Sequence, residues 1–198
     1  MGRIVVLDNG HGGMIGGDYQ TMGKRSPKWA SGTMYEGMFN RWVVNRIIEK
    51  LDRKEIPYFH ISPELTDVSL GARVSRANAF DQGNDIWLLS IHANAGGGHG
   101  VEGFTTKGVT KSDDLGEIVL QNIKDIGINT MRIDSSDGDL DKEVNFYMLR
   151  NPRCPAFLLE CGFMDNRVDY DNLWDEGYLS MLVDSLVKSI EIIYKQNL

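Results

Sequence analysis

Residues 4–13 read IVVLDNGHGG, and the predicted sheet and its functional edge both start from this stretch. Its apolar first half ends at Asp8 and predicts a buried strand. The glycines that follow predict a tight turn that presents His11 at the carboxyl end of this strand. A histidine in such a position is often structural, so the stretch by itself leaves open whether His11 binds a ligand. Its role depends on which other side chains reach the same edge of the sheet.

Two later strands end in the same way. The apolar run at residues 85–91 is followed by His92 and a glycine-rich loop, and the run at residues 156–159 ends at Glu160. Glu36 begins a predicted helix after the first strand, where the helix dipole alone also favours a carboxylate. In open α/β sheets, sites form outside the carboxyl ends of the strands. We therefore expect two imidazoles and two carboxylates at one edge of one sheet.

The hydrophobic periodicity predicts strands that alternate with helices, which is typical of an α/β sandwich. Predicted strands cover residues 4–8, 57–61, 85–91, 101–105, 144–149 and 156–159, and predicted helices begin near residues 36, 70, 112 and 176. We expect a mostly parallel, twisted sheet of about six strands flanked by helices. No repeat, linker or low-complexity tract divides the chain, so residues 1–198 are expected to form a single domain.

The composition excludes several functional classes. The chain has 198 residues and a net charge of −7, whereas a nucleic-acid-binding surface needs a basic stripe. No apolar run approaches the ~20 residues that a membrane span requires. The N-terminus lacks the apolar region and small-residue cleavage site of a signal peptide. We therefore expect no nucleic-acid partner, no membrane insertion, and synthesis in the cytoplasm without a signal peptide.

The glycine spacing excludes two nucleotide-binding motifs. A dinucleotide fingerprint that starts at Gly10 needs a glycine at position 15, which is Ile15. A P-loop that ends at Gly23 needs a glycine at position 18, which is Asp18. Neither motif is present, so a nucleotide-binding domain is not expected.

Other ligand-type residues are expected to be structural. Cys154 and Cys161 flank a predicted strand that holds them more than ~20 Å apart, too far for a disulfide, so both are expected to be reduced and buried. Four aspartates, at positions 134, 137, 139 and 141, lack the glycine and glutamate of a calcium loop and predict a solvated loop instead. His60 lies inside a predicted strand and is expected to pack in the core, and His99 is expected to be exposed.

The residues at the sheet edge match a known metal chemistry. Two histidines and one glutamate recur in catalytic zinc sites, where they leave a fourth position open for water. A further carboxylate can take a proton from that water as it attacks a carbonyl. Residue chemistry alone leaves an equal alternative, in which four unrelated polar residues happen to follow strand ends.

The whole chain from Ile4 to the last helix resembles the zinc-dependent N-acetylmuramoyl-L-alanine amidases often called amidase 3. The motifs that carry the resemblance are LDNGHGG at 7–13, Glu36 with Asn40, LGAR at 70–73 with Ala77-Asn78, SIHANA at 90–95, and PAFLLECGF at 155–163 with Asn166. The resemblance implies that His11, Glu36 and His92 bind one Zn²⁺ ion and that Glu160 is the catalytic glutamate. It also implies an α/β fold with the zinc site at the carboxyl ends of the strands.

Three further positions match family residues beside the ligands: Asp8, Asn94 and Arg73. We expect them to support the ligands or to meet the substrate. Asp8 is expected to orient an imidazole, with a turn-forming role as the alternative. The chain departs from the family pattern at Asn9, where proline is usual, and at Cys161, where a small or apolar residue is usual; neither is a ligand.

The resemblance implies hydrolysis of the amide between N-acetylmuramic acid and L-alanine in peptidoglycan. The same site chemistry permits a zinc peptidase or carboxypeptidase that cuts within the stem peptide, and a non-catalytic wall-binding relative is a third alternative. No separate wall-binding domain is expected. Residues 23–27 and 35–37 look most like phage or prophage endolysins, which implies a holin-type partner for export and action on the cell wall. The long loop at 12–35 is expected to be a flap near the site or a mobile surface loop.

Overall fold

The structure is a computed structural model that describes residues 2–128, 130–136 and 138–196. Strands and helices alternate along most of this part of the chain. The strands are β1 (Ile4–Asp8), β2 (Met14–Ile15), β3 (Asp18–Tyr19), β4 (Tyr58–His60), β5 (Ile86–Asn94), β6 (Glu102–Thr106), β7 (Lys142–Val144) and β8 (Ala156–Phe163). The helices are α1 (Glu36–Arg53), α2 (Leu70–Phe80), α3 (Lys111–Asp125), α4 (Tyr147–Arg150), α5 (Arg167–Trp174) and α6 (Glu176–Gln196).

Six strands form one sheet in the order β4-β1-β5-β8-β6-β7. Strands β4, β1, β5 and β8 are parallel, whereas β6 runs antiparallel to β8 and parallel to β7. The carboxyl ends of β1, β5 and β8 therefore lie at the same edge as the amino ends of β6 and β7. The predicted α/β fold, with a mostly parallel six-stranded sheet flanked by helices, is confirmed.

Helices cover both faces of this sheet. Val5 and Leu7 of β1 pack in one core with residues of α1, α3 and α6, whereas Val6 packs in a second core with residues of α2 and α4. A strand buried on both faces needs apolar residues at successive positions. This requirement explains why β1 reads as an uninterrupted apolar run and not as an alternating pattern.

Several predicted boundaries are wrong. β5 and β8 do not stop before His92 and Glu160 but run through them to Asn94 and Phe163. The strand predicted at 144–149 is wrong, because β7 ends at Val144 and the one-turn helix α4 follows. A short apolar run does not distinguish a strand from a buried helical turn.

Helix starts depend on side-chain caps that the hydrophobic pattern does not show. Ser69 caps α2, since its hydroxyl accepts a hydrogen bond from the backbone N–H of Ala72. Thr110 is the N-cap of α3, in a capping box with Asp113, so this helix begins one residue before the predicted position 112. The α5 helix was not predicted at all, and Asn166 caps it.

The loop at residues 12–35 is held against the body of the protein. It contains the β2–β3 hairpin. The indole N–H of Trp29 donates to the carbonyl of Met164 (3.2 Å), and the N–H of Glu36 donates to the carbonyl of Lys24 (3.0 Å). The loop thus connects the end of β8 to the start of α1, both of which border the candidate site. Among the described residues, no helix is long and apolar enough to cross a membrane.

Candidate metal centre and active site

The turn after β1 brings His11 close to His92. Gly10 and His11 both have positive φ values, +43° and +54°, which folds the chain back over the end of the strand. A Cβ atom at Gly10 would lie 2.5 Å from Cε1 of His92. The glycine is therefore required both for the backbone conformation and for the approach of the second imidazole. The two imidazole rings lie edge to face, with centroids 5.0 Å apart.

The Glu36 carboxylate meets both imidazoles. Glu36 begins α1 and is only 3% exposed. Its Oε1 atom lies 2.8 Å from Nδ1 of His92 and 3.0 Å from Nε2 of His11. Its other oxygen lies 3.9 Å from the ammonium of Lys24. The start of α1 thus places one carboxylate oxygen between two imidazole nitrogens, one from the turn after β1 and one from β5.

The three side chains fit a metal ion. One ligand atom from each of His11, Glu36 and His92 lies within 4.8 Å of the others. Nε2 of His11 is buried and has no hydrogen-bond partner among the described residues, although it lies near Glu36. Ligand atoms around a tetrahedral zinc ion lie ~3.4 Å apart, given bonds of ~2.0–2.2 Å. Two nitrogens and one carboxylate oxygen are also a donor set that zinc accepts.

The electrostatics of the three side chains are coupled. Burial acts to raise the pKa of Glu36, but its close contacts with His11 and His92, and its attraction to both imidazoles, lower it well below its usual range. Burial acts to lower the pKa of His92, yet the hydrogen bond to Glu36 and the nearby Glu160 raise it. The carboxylate is therefore held ionised, as a metal ligand must be.

Glu160 lies beside this group on the neighbouring strand. The β5–β8 register pairs His92 with Glu160. Its Oε2 atom is buried and has no hydrogen-bond partner among the described residues. Burial, together with repulsion from Glu36, raises the pKa of Glu160 to about 7, while His92 and Lys24 act against the rise. A carboxyl group with a pKa in this range can both take and return a proton near neutral pH.

Asp8 and Arg73 form a buried ion pair behind the turn. Asp8 Oδ1 lies 2.7 Å from Nη1 of Arg73, and the two side chains are 1% and 2% exposed. The Asp8 carboxylate also accepts hydrogen bonds from Ser62 and Ser90. Burial acts to raise the pKa of Asp8, but Arg73 and the serine hydroxyls lower it.

This ion pair corrects one expectation. Among the described residues, the hydrogen bonds of Asp8 go to the serines and to Arg73, so its carboxylate does not orient an imidazole directly. Arg73 also bonds the carbonyl of Val68 (2.7 Å) and the carboxylate of Asp67 (3.2 Å). It is therefore closed to substrate, and its contacts tie the end of β1 to the segment before α2.

Asn94 belongs to a second polar group at the same edge. Its amide donates to Glu102 (2.7 Å), a β6 residue that is 5% exposed. Glu102 also accepts hydrogen bonds from Arg132 (2.5 Å) and Lys142 (2.6 Å). We call these four residues the Glu102 cluster. Sequence reasoning missed three of its members; the available signal was a charged residue at the start of a strand that directly follows the His92 loop.

The match to known proteins decides the family. A family model described as Amidase_3, N-acetylmuramoyl-L-alanine amidase, matches residues 5–192. The chain belongs to this family. The first-strand turn, the start of α1 and the ends of β5 and β8 all lie inside the matched range.

Two curated relatives of the Amidase_3 chain are similar in sequence, and one of them is named as an amidase. The chain is 34% identical over 122 residues to the N-acetylmuramoyl-L-alanine amidase CwlM of Bacillus licheniformis, and the match covers 58% of this chain and 42% of CwlM. It is 28% identical over 197 residues to the uncharacterized protein YqiI of Bacillus subtilis, with 98% and 86% covered. The chain therefore spans less than half the length of CwlM.

A solved structure shows the same fold across the whole Amidase_3 chain. The crystal structure of N-acetylmuramoyl-L-alanine amidase from Clostridium difficile 630 superposes with a TM-score of 0.77 at 25% identity, and 98% of each chain is covered. The six-stranded sheet and its helices are thus the architecture of a solved amidase.

The remaining candidate ligands of the Amidase_3 chain have structural roles. His60 lies 2.6 Å from the side-chain amide of Asn9, as a core histidine was expected to do. His99 is not simply exposed: it pairs with Asp169 (2.7 Å) and is 41% exposed. Cys154 and Cys161 are free and buried, as predicted, and burial raises the pKa of Cys154 to about 12. Asp137, one of the four loop aspartates, lies outside the described residues.

Proposed function

We propose that this protein is a zinc-dependent N-acetylmuramoyl-L-alanine amidase that hydrolyses the amide between the lactyl group of N-acetylmuramic acid and L-alanine. One observation carries the proposal: the ligand atoms of His11, Glu36 and His92 converge beside Glu160 at the carboxyl edge of the sheet. The Amidase_3 match and the amidase relatives support the choice of substrate. We propose that residues 1–198 form a single catalytic domain, of which residues 5–192 match the family model.

The residues of this chain would divide the chemistry between them. His11, Glu36 and His92 would hold the zinc ion, which when bound polarises a carbonyl and acidifies water. Glu160 would take the proton from the attacking water through its buried, unpartnered oxygen. It would then pass the same proton to the departing alanine nitrogen, so that the C–N bond breaks and a free amine leaves.

The loop at residues 12–35 would form one wall of the substrate cleft. It carries Lys24 to within 3.9 Å of Glu36, and Trp29 fastens it to the end of β8. A cationic side chain at this position would contribute to the charge balance around the ligands. Residues 23–27 and 35–37 are also the basis for proposing a phage or prophage endolysin, which would need a holin-type partner to reach the cell wall.

The proposal is tested by the products released from purified peptidoglycan. Zinc-loaded protein is incubated with the wall material, and the soluble products are identified by mass spectrometry. The controls are chelator-treated protein and the zinc-loaded Glu160→Gln variant. We expect intact stem peptides with a free N-terminal alanine from the zinc-loaded wild type and from neither control.

Other products would change the assignment. Peptides shortened at internal bonds would identify a zinc peptidase and refute the amidase specificity. Equal release by chelated and zinc-loaded protein would refute the metal dependence. Absence of release from several wall types by well-folded, zinc-loaded protein would support the non-catalytic alternative.

A further inference from the structure

The Glu102 cluster is placed beside the catalytic edge by the sheet itself. The β6–β8 register pairs Glu102 with Glu160, so the two carboxylates occupy neighbouring positions on adjacent strands. Lys142 is the first residue of β7, which runs parallel to β6 and begins at the same edge. Asn94 is the last residue of β5. The cluster therefore borders the site on the side opposite the start of α1.

The charges of this cluster do not cancel. Arg132 and Lys142 both bond the same oxygen of Glu102, at 2.5 and 2.6 Å. Within the cluster, two cations therefore face one carboxylate, while Lys142 also attracts the Asp134 carboxylate and Glu160 lies beside Glu102.

Arg132 keeps part of its hydrogen-bonding capacity for a ligand. Its Nε donates to Glu102, and among the described residues neither Nη atom has a hydrogen-bond partner. Its side chain is 45% exposed, and its guanidinium carbon lies 5.4 Å from the centre of the Phe163 ring. The guanidinium is therefore held at its Nε atom and beside the Phe163 ring, while its two Nη atoms form a planar fork that remains available. Such a fork matches the geometry of a carboxylate.

We propose that Arg132 and Lys142 form a carboxylate-binding subsite for the stem peptide of the substrate. The stem that follows L-alanine contains a γ-linked D-glutamate, whose α-carboxylate is either free or amidated. Arg132 would bind the free carboxylate through its Nη atoms, and Lys142 would add a second positive charge. Glu102 would hold both cations in place by accepting their hydrogen bonds. This inference rests on the proposed amidase function and adds a preference within it.

The test compares two substrates that differ at one group. Both are muramoyl tripeptides, L-alanyl-γ-D-glutamyl-L-lysine; one has a free α-carboxylate on the D-glutamate, and the other carries the α-amide at that position. For wild type, we expect kcat/KM to be about tenfold higher for the acid, because a hydrogen bond to a charged group is stronger than one to a neutral group. The ratio should fall as ionic strength rises.

Variants separate the subsite from overall charge. Arg132→Gln should bring the ratio close to one, and Arg132→Lys should keep part of it. Lys107→Gln is the matched control, because it removes one positive charge from the exposed turn after β6, away from the site edge. This control should retain the wild-type ratio. Calorimetric titration of the zinc-loaded proteins with the tripeptide L-alanyl-γ-D-glutamyl-L-lysine and with its glutamate α-amide gives the same comparison without turnover.

The outcomes distinguish this inference from the function on which it rests. Equal cleavage and equal binding of the acid and the amide by wild type would overturn the subsite and leave the amidase function intact. A full preference in folded Arg132→Gln would also overturn it. Cleavage of neither substrate would refute the amidase function, and the binding ratio would then decide the subsite alone.

Discussion

Removing the Arg73 side-chain charge should destabilise the protein far more than removing an exposed arginine. Arg73→Met leaves the Asp8 carboxylate buried beside Ser62 and Ser90 without its cation. Breaking a buried pair by removing one partner costs about 3–5 kcal/mol. Because two serine hydroxyls still donate to Asp8, we expect the lower end, about 3 kcal/mol of unfolding free energy.

The measurement is urea unfolding of the chelator-treated protein at pH 7, since bound metal would add its own stabilisation. A loss of this size lowers the urea midpoint by about 1 M. The matched control is Arg53→Met, in which the arginine faces Glu49 across 3.6 Å and both side chains are mostly exposed. That pair should contribute under about 0.5 kcal/mol.

The pH dependence gives a second check of the same reasoning. In wild type the folded-state pKa of Asp8 is lowered, so its contribution to stability is present above the unfolded pKa of about 3.9 and is lost as pH falls. Without Arg73, burial should raise the folded pKa of Asp8, so the variant should lose stability as pH rises. The difference in unfolding free energy between wild type and Arg73→Met should therefore be larger at pH 7 than at pH 4.

Two results would refute this account of the ion pair. One is a loss of unfolding free energy in Arg73→Met that is no greater than the loss in the Arg53→Met control. In the Asp8→Asn/Arg73→Met double variant, removing the unpaired buried charge should recover part of the lost unfolding free energy. A double variant no more stable than Arg73→Met is therefore the second refuting result.

Three other perturbations have definite expected outcomes. Glu160→Gln should retain zinc and lose about 10²–10⁴-fold in kcat/KM, whereas His92→Ala should lose the metal itself, as measured by elemental analysis. Gly10→Ala should weaken zinc binding, because its Cβ would lie 2.5 Å from Cε1 of His92; Gly16→Ala, at φ +59° with nothing within 4 Å of the added Cβ, should cost stability alone. His60→Gln should make the free energy of unfolding less sensitive to acid. Burial and the nearby Arg41 lower the folded-state pKa of His60 from 6.5 to about 4. Wild type should therefore lose up to about 1 kcal/mol of unfolding free energy per pH unit as the pH falls from 6.5 to 4.

Each of these expectations has an outcome that contradicts it. Unchanged turnover in Glu160→Gln would remove this residue from the mechanism. Equal zinc affinity in Gly10→Ala and Gly16→Ala would show that the close approach to His92 does not matter. Parallel stability curves for wild type and His60→Gln between pH 6.5 and pH 4 would place the acid-sensitive group elsewhere.

The strand-end pattern was enough to predict which side chains meet. His11, His92 and Glu160 follow apolar runs, and parallel strands present their carboxyl ends at one edge. The pattern did not show that β5 and β8 continue through His92 and Glu160, because polar side chains at a cleft resemble the residues of a loop. It was also silent on the one-turn helix after β7, where a few apolar residues fit either structure.

The polar partners were harder to predict than the ligands. Asp8 and Arg73 are 65 residues apart, and no local periodicity links them; the packing of α2 and β1 into one hydrophobic core brings them together. The Glu102 cluster has the same origin, since its members come from three strands and the segment before β7. Long-range ion pairs of this kind depend on the order of the strands in the sheet. The sequence predicted the fold class but not this order.

The reversal of direction at β6 divides the site between two parts of the chain. The proposed metal ligands and Glu160 lie in the turn after β1 and in α1, β5 and β8, whereas Arg132 and Lys142 come from the segment that joins α3 to β7 and from β7 itself. Exchanging that short segment between relatives would therefore produce chimeras that keep the hydrolytic machinery of one parent and acquire the stem-peptide preference of the other.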